Sequence, residues 1–547
     1  MALMTKMIFL SLTAFLSFCF LNSQAQSRLQ EQAWVDSVYQ QLSPQERIGQ
    51  LFMVAAYSGG ENYNQADIEK LIKAHRIGGV IFMQGTPEKQ AAQTNEYQQM
   101  AQVPLLIGMD GEWGLGMRLT GVRNYPYQML LGATRDTQLV RKMGALVAAQ
   151  CKRLGVHIDF APDVDVNNNP KNPIINFRSF GQDKHWVAQL GIAYMKGLQE
   201  NGVIACAKHF PGHGDVSVDS HKDLPVVDKS LEEIKDVELY PFRKMVAAGV
   251  KSIMVAHLDV PAMDNTPNLP TTLSKKVVSG WLRDSLGFQG LIFTDALNMK
   301  GVTKYYPDGE TDLKAFLAGN DVLLFSQDVP LAIKKIQNAI ASGQATEADL
   351  EQRVKKILRA KYEAGLNNFQ PVDTENVTTD LNAQTDKFWG EAAAKSITLV
   401  KDENKLIKAL NQPGAKIAGL SIKVNDGTIR LDDNLKENYS GVKTITSAAG
   451  LEKYDAVVVG IHHVNRYPGK SGSYGLSANQ LALIKALAKK KNVCFVVFGN
   501  AYLMKYLCDA STVIMAYEDN QFTESVATEV LKGKLPANGV LPVLSCN

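Results

Sequence analysis

Between about residues 45 and 365, short apolar runs alternate with amphipathic stretches, and this alternation restricts the fold more than any other feature of the chain. The runs fall at 51–54, 79–83, 105–109, 157–162, 203–207, 252–256, 291–293 and 321–325. Helical patterns lie between them at 138–154, 186–201, 231–248, 275–286 and 329–341. A strand apolar on both faces must be covered on both faces, and intervening helices supply that cover in a parallel sheet. Eight such units over about 320 residues suit a (β/α)8 barrel. An open, doubly wound α/β sheet is the alternative.

A helical pattern at 347–364 ends at Gly365 and closes a first domain spanning 26–366. Residues 367–387 are rich in Asn, Asp, Thr and Gln and read as a surface linker. Buried-type strands return at 396–400, 417–422, 455–461, 493–498 and 512–517, with a helical stretch at 478–489. They predict a second, smaller α/β domain over 388–547.

Lys6 precedes an apolar stretch from residue 7 to 21, and Ser23-Gln24-Ala25 follows it. A charged start, a short apolar segment and a small-x-small site read as a secretory signal over 1–25. The apolar stretch is shorter than the ~20 residues that span a bilayer. The expectation is an exported protein, periplasmic or secreted, with no stable membrane span in the mature chain. A lipid anchor at Cys19 is disfavoured by the bulky Phe18 before it. The balance of 58 basic and 55 acidic residues gives no reason to expect a nucleic-acid partner. The five later cysteines are widely spaced, without a CxxC pair. Cys206 and Cys494 read as buried thiols, and a Cys494–Cys508 disulfide is conceivable.

Barrel enzymes carry their chemistry where strands end. Polar groups stand at five such places here: Asp110, Arg178, Lys208-His209, His257 and Asp295. Any one of them reads equally as a helix cap or a solvated loop residue, Asp295 above all. Their joint occurrence points to a site. The densest segment is 208–221, with three histidines and two aspartates around Gly212 and Gly214. A metal site is one reading, but there is no HExxH and no i, i+4 helical pair, so neither metal nor cofactor is called for. Acid–base catalysis is the other. Asp219 and His221 are two apart, so in an extended loop both point the same way. The carboxylate then fixes one ring nitrogen while the other faces a substrate.

The stretch 208–225 closely resembles the signature of β-N-acetylglucosaminidases in family 3 of the glycoside hydrolases. Asp110 with Arg118, Arg178-Ser179-Phe180-Gly181, Met254-Val255-Ala256-His257, Thr294-Asp295-Ala296-Leu297-Asn298-Met299 and Ala318-Gly319-Asn320-Asp321 resemble the motifs after the third, fourth, sixth, seventh and eighth strands. The segment 396–401 resembles the start of that family's α/β sandwich domain. The resemblance implies a carbohydrate substrate, a β-N-acetylglucosaminide such as a peptidoglycan fragment. It implies Asp295 as nucleophile of a retaining mechanism and His221, oriented by Asp219, as proton donor. It implies that Asp110, Arg118, Lys208 and His209 hold sugar hydroxyls, with Arg178 and His257 bordering that subsite. This chain departs from the pattern at Trp113-Gly114-Leu115, where two glycines and an arginine often follow the glutamate. His213 is open between lining the site and shaping the loop, and His462-His463 reads as a packing or surface pair. Phosphorolysis by the same residues and a silent glycan-binding protein are the rival functions.

Overall fold

The computed structural model describes residues 26, 28–544 and 546. The expected signal segment, with Cys19 and the cleavage site, lies outside them. All eight expected barrel strands form: β1 (Phe52–Ser58), β2 (Gly79–Gly85), β3 (Leu106–Met109), β4 (Ile158–Asp159), β5 (Ile204–Phe210), β6 (Ser252–Val255), β7 (Leu291–Thr294) and β8 (Leu323–Leu324). They run parallel in the order β7-β6-β5-β4-β3-β2-β1-β8. The ends approach each other: Phe293 pairs with Val322, and the Asp321 N–H donates to the Ile292 carbonyl at 2.8 Å. The sheet is therefore a nearly closed barrel rather than an open one. Its interior is filled by side chains such as Phe160 and Phe293, which meet edge to face at 5.2 Å.

Two helices depart from the pattern read in the sequence. The stretch 231–248 forms two helices, Leu231–Asp236 and Leu239–Ala247. Pro241 explains the break, because in a continuous helix its ring would collide with the carbonyl of Val237. The stretch 275–286 is wound as a π-helix over Lys276–Ser285.

The segment after the barrel holds a helix at Val377–Asn382, and the helix Thr385–Ser396 begins within it. Val377, Leu381 and Phe388 are buried. The second sheet contains β9 (Thr398–Asp402), β10 (Ile417–Lys423), β11 (Lys443–Thr444), β12 (Ala456–His462), β13 (Val493–Val497) and β14 (Thr512–Met515). Its order is β11-β10-β12-β13-β14-β9, and only β9 runs antiparallel.

This domain grips the loop that follows β4. The Tyr502 hydroxyl donates to the Asn167 carbonyl at 2.7 Å, and Asn500 bonds Asn176. The last residues cross back to the barrel: Val540 N–H reaches the Ala133 carbonyl at 2.9 Å, and Gln182 N–H reaches the Pro542 carbonyl at 3.0 Å. Cys508 is bonded to Cys546. The conceivable Cys494–Cys508 bridge does not form, because Cys494 sits inside the sheet on β13 as a buried thiol. Cys206 is likewise buried and free. No helix of the described residues is long and apolar enough to cross a membrane.

The histidine loop depends on one close approach. A Cβ on Gly214 would lie 1.8 Å from the Val166 carbonyl oxygen. Gly280 has nothing within 4 Å of such an atom. We predict that Gly214→Ala lowers the unfolding free energy by ~1–3 kcal/mol, the usual cost of overpacking. Gly280→Ala should be neutral or stabilising. Urea denaturation of both variants checks this.

Candidate active site

The C-terminal ends of the barrel strands enclose a cavity of about 390 Å³. Asp110, Arg118, Arg178, Lys208, His209, His221 and Asp295 all line it. Asp219 and His257 stand behind it.

The floor is a chain of alternating charges. Asp110, just past β3, accepts from Lys208 Nζ at 2.9 Å and is paired with Arg118. Glu112 accepts from Lys208 at 2.8 Å and takes both arms of Arg178, at 2.7 and 2.9 Å. Lys208 is on β5, and Arg178 sits in the loop after β4. Burial pushes both carboxyls up, but the facing cations outweigh it. Asp110 is held far below the ordinary aspartate range, and Glu112 is lowered to about 2. The charges are thus permanent, and they suit a ligand bearing hydroxyl groups, which both donate and accept.

Beside this floor, His209 is fixed by Asp165, whose Oδ2 lies 2.7 Å from Nδ1. The Nε2 of the same ring faces Arg178 at 3.3 Å. Asp165 also accepts the His213 backbone N–H at 2.6 Å. Asp163, two residues earlier, is pushed well above the ordinary range by burial and by the charge of Asp165. Asp163, Asp165 and His209 could together hold a cation. A metal there would stand against the Arg178 guanidinium, 3.8 Å from Asp163, so the arrangement fits a hydrogen-bonded positioning group better.

Asp295 follows β7 directly, and its Oδ1 accepts the Ala296 N–H at 2.7 Å. Burial pushes its carboxyl up; His257, His209 and that N–H oppose it and hold the group below its ordinary value. His257, expected to border the sugar subsite, does not line the cavity. It is fully buried, and its Nε2 donates to the Ala296 carbonyl at 3.0 Å while Nδ1 faces the Thr272 hydroxyl at 2.8 Å. It therefore anchors the turn that presents Asp295.

Asp219 accepts from both the backbone N–H of His221, at 2.9 Å, and its Nδ1, at 3.0 Å. Burial raises the Asp219 carboxyl, but these bonds outweigh it and keep the group ionised. The His221 side chain is 62% exposed, in contrast to every other polar group of the floor. His213 lines the pocket, with Nε2 3.2 Å from the Ser220 hydroxyl. Burial lowers it to about 4, so it is neutral at neutral pH and suits shaping the loop rather than giving up a proton. Trp113, which directly follows Glu112, packs against Tyr127 at 4.9 Å and Phe177 at 5.7 Å.

Four groups were missed in the sequence, among them Glu112, which stood there only as part of the motif after β3. Asp163 and Asp165 alternate just past the end of the fourth apolar run, and that alternation was the available signal. Tyr467 comes from the second domain, lines the pocket and lies 5.0 Å from Phe177. Nothing in the local sequence marks it.

The charge chain predicts an acid limb of stability. A carboxylate with a depressed folded pKa contributes stability in full above its unfolded pKa and loses it as pH falls through the folded one. Glu112 therefore contributes fully above about 4.3 and loses its contribution on descent towards about 2. We predict that Glu112→Gln is destabilised by ~3–5 kcal/mol at pH 7 and has a shallower stability-versus-pH slope in that window. Urea unfolding from pH 7 down to pH 2.5 measures both.

Comparison with known proteins agrees with this geometry. The description "Glycosyl hydrolase family 3 N terminal domain" matches residues 44–360. A β-N-acetylglucosaminidase/β-glucosidase of Cellulomonas fimi is 28% identical over 93% of this chain and 95% of its own length. The β-hexosaminidase LpqI of Mycobacterium tuberculosis is 30% identical over 58% of this chain and 83% of its own. The solved family 3 β-N-acetylglucosaminidase of Paenibacillus sp. str. FPU-7 superposes with a TM-score of 0.74 at 30% identity, covering 92% of this chain and 99% of that one. The chain belongs to family 3 of the glycosyl hydrolases and is a glycoside hydrolase of the β-N-acetylhexosaminidase type.

Proposed function

We propose that the enzyme removes terminal β-linked N-acetylglucosamine from glycans or peptidoglycan fragments with retention of configuration. The observation that carries this reading is the Asp219–His221 pair. One ring nitrogen of His221 is engaged at 3.0 Å and the imidazole stands on the wall of the cavity that Asp295 lines. In the first step an Asp295 oxygen attacks the anomeric carbon. The glycosidic C–O bond breaks as protonated His221 passes its Nε2 proton to the leaving oxygen. Asp219 stabilises the imidazolium. In the second step water attacks the anomeric carbon, His221 takes its proton, and the ester bond to Asp295 breaks. Asp110, Arg118, Lys208 and His209 hold the sugar hydroxyls in this reading, and Arg178 holds Glu112 and His209 in place. Export follows from the reading of residues 1–25, and N-terminal sequencing of mature protein should begin at Gln26.

Asp295→Ala should abolish turnover while sugar binding persists, and a fluorinated substrate analogue should label Asp295 in the intact enzyme. Labelling of another carboxylate removes Asp295 from the mechanism. With inorganic phosphate present, the product should be free sugar; a sugar 1-phosphate means phosphorolysis.

Proton donation matters most for a poor leaving group. General acid catalysis contributes roughly 10²–10⁴-fold. His221→Ala should therefore lose far more kcat/KM on chitobiose than on a nitrophenyl glycoside, and Asp219→Ala should show the same selectivity more weakly. Equal losses on both substrates count against the proton-donor role.

A further inference from the structure

The loop that carries His221 is anchored to the barrel where it returns from the site. The Val227 N–H donates to the Asp259 carbonyl at 2.9 Å, and the Asp259 N–H donates to the Pro225 carbonyl at 2.8 Å. Lys229 reaches Asp215 at 2.7 Å and Glu238 at 2.6 Å. The tip, residues 219–223, has a different support, the stretch that follows Asp295. The Gly301 N–H donates to the Ser220 carbonyl at 3.1 Å, and Lys304 Nζ donates to both oxygens of the Asp223 carboxylate at 2.9 Å. The Tyr305 hydroxyl adds a donor to Asp223 at 3.3 Å. Ser220 and Asp223 flank His221 and Lys222, so these bonds bracket the imidazole.

The fit is close. A Cβ on Gly301 would lie 3.0 Å from the Ser220 carbonyl oxygen and 3.3 Å from that of Asp223, so a side chain there would press on the tip. The Ser220 hydroxyl also meets His213 at 3.2 Å, but that contact lies within the same loop. The residues between the two contacts bury little, with the His221 and Lys222 side chains 62% and 80% exposed. With so little apolar burial, the polar contacts at Gly301 and Lys304 carry much of what fixes the tip. Its two carboxylates divide the work. Asp219 accepts from the His221 ring and sets its orientation, while Asp223 is turned to Lys304 and sets where the tip stands. Neither Asp223 nor Lys304 lines the catalytic cavity, whereas Asp295, Asn298 and Met299 of the same stretch do. One stretch of chain thus presents Asp295 to the cavity and holds the loop that presents His221.

We propose that Gly301 and Lys304 form a dock that holds His221 in register with Asp295, with Lys304 a positioning residue that acts through Asp223. The inference rests on the roles given above to His221 and Asp295. Proton donation requires the imidazole within about 2.6–3.2 Å of the leaving oxygen at the moment of attack. A tip displaced by ~1 Å loses that reach, although the sugar stays held by the charge chain below. Loss of the dock is then felt in proton transfer and not in sugar binding.

The test reads the dependence on leaving group. Lys304 is half exposed, so Lys304→Glu sets two carboxylates face to face without disturbing the core. It should lower kcat/KM on chitobiose on the order of fivefold to tenfold, the range of an exposed ion pair lost and then reversed. On a nitrophenyl glycoside, which needs little protonation, the loss should stay below about twofold. Calorimetric titration with N-acetylglucosamine should give an unchanged Kd. Exchanging the charges, with Asp223→Lys added to Lys304→Glu, should recover most of the chitobiose rate. Gly301→Ala, which presses the same tip outward, should show the same selectivity. Equal losses on both substrates, no loss on chitobiose, or no recovery in the exchanged pair overturns the proposal. His221→Ala separates this failure from that of the mechanism. If His221→Ala is selective and Lys304→Glu is not, the dock alone is refuted. If His221→Ala itself loses equally on both substrates, the proton-donor reading fails and the dock falls with it.

Discussion

Two carboxylates and three cations alternate on the floor of the catalytic pocket, and the structure around them is arranged to keep them paired. Removing a charge from water costs several kcal/mol unless good partners replace the solvent. Lys208 answers this with two carboxylates, and Glu112 answers it with two cations. The partners come from the ends of β3 and β5 and from the loop after β4. Any slip of one strand against its neighbour leaves a buried charge alone. The network therefore constrains the register of the barrel as well as the shape of the pocket.

Arg178 sits farthest along the chain from the strand end that its loop leaves. That loop is held from outside, by Tyr502, Asn500 and the returning tail at Pro542. The second domain thus acts on the site in two ways. It supplies Tyr467 to the cavity wall, and it fixes the loop that completes the charge chain. A barrel isolated from it would retain Asp295 and His221 but lose that support.

Much of this was legible in the chain. The eight strands and the polar groups at their ends follow from hydrophobic runs that stop abruptly, which is a local signal. The Asp219–His221 pairing was read from spacing in an extended loop, but the bond forms in a turn, where the Lys222 N–H reaches the Asp219 carbonyl at 2.8 Å. The rest depends on distance in sequence. Tyr467 meets a pocket built some 250 residues earlier, and no periodicity records that meeting. His257 ends a strand and by resemblance was expected to border the sugar subsite, but whether a side chain at that position turns outward or under its neighbour is decided by Thr272 and Ala296. Cys508 likewise finds Cys546 through the course of the tail, which spacing does not encode. Asp163 and Asp165 were hidden for the opposite reason: a short acidic alternation after a strand looks like any solvated loop.

His221 differs from the rest of the site in its surroundings. Asp295 and the charge chain are largely buried around the cavity that they line, while His221 stands on a loop with most of its ring in water. Its fixed partner, Asp219, belongs to the same loop, so the pair is a self-contained cassette. Under the proposed mechanism, replacing that cassette exchanges the proton donor and leaves the charge chain intact. Evolution, or an engineer, can therefore revise the pH response and the acceptor of the reaction by loop grafting, without repacking a barrel.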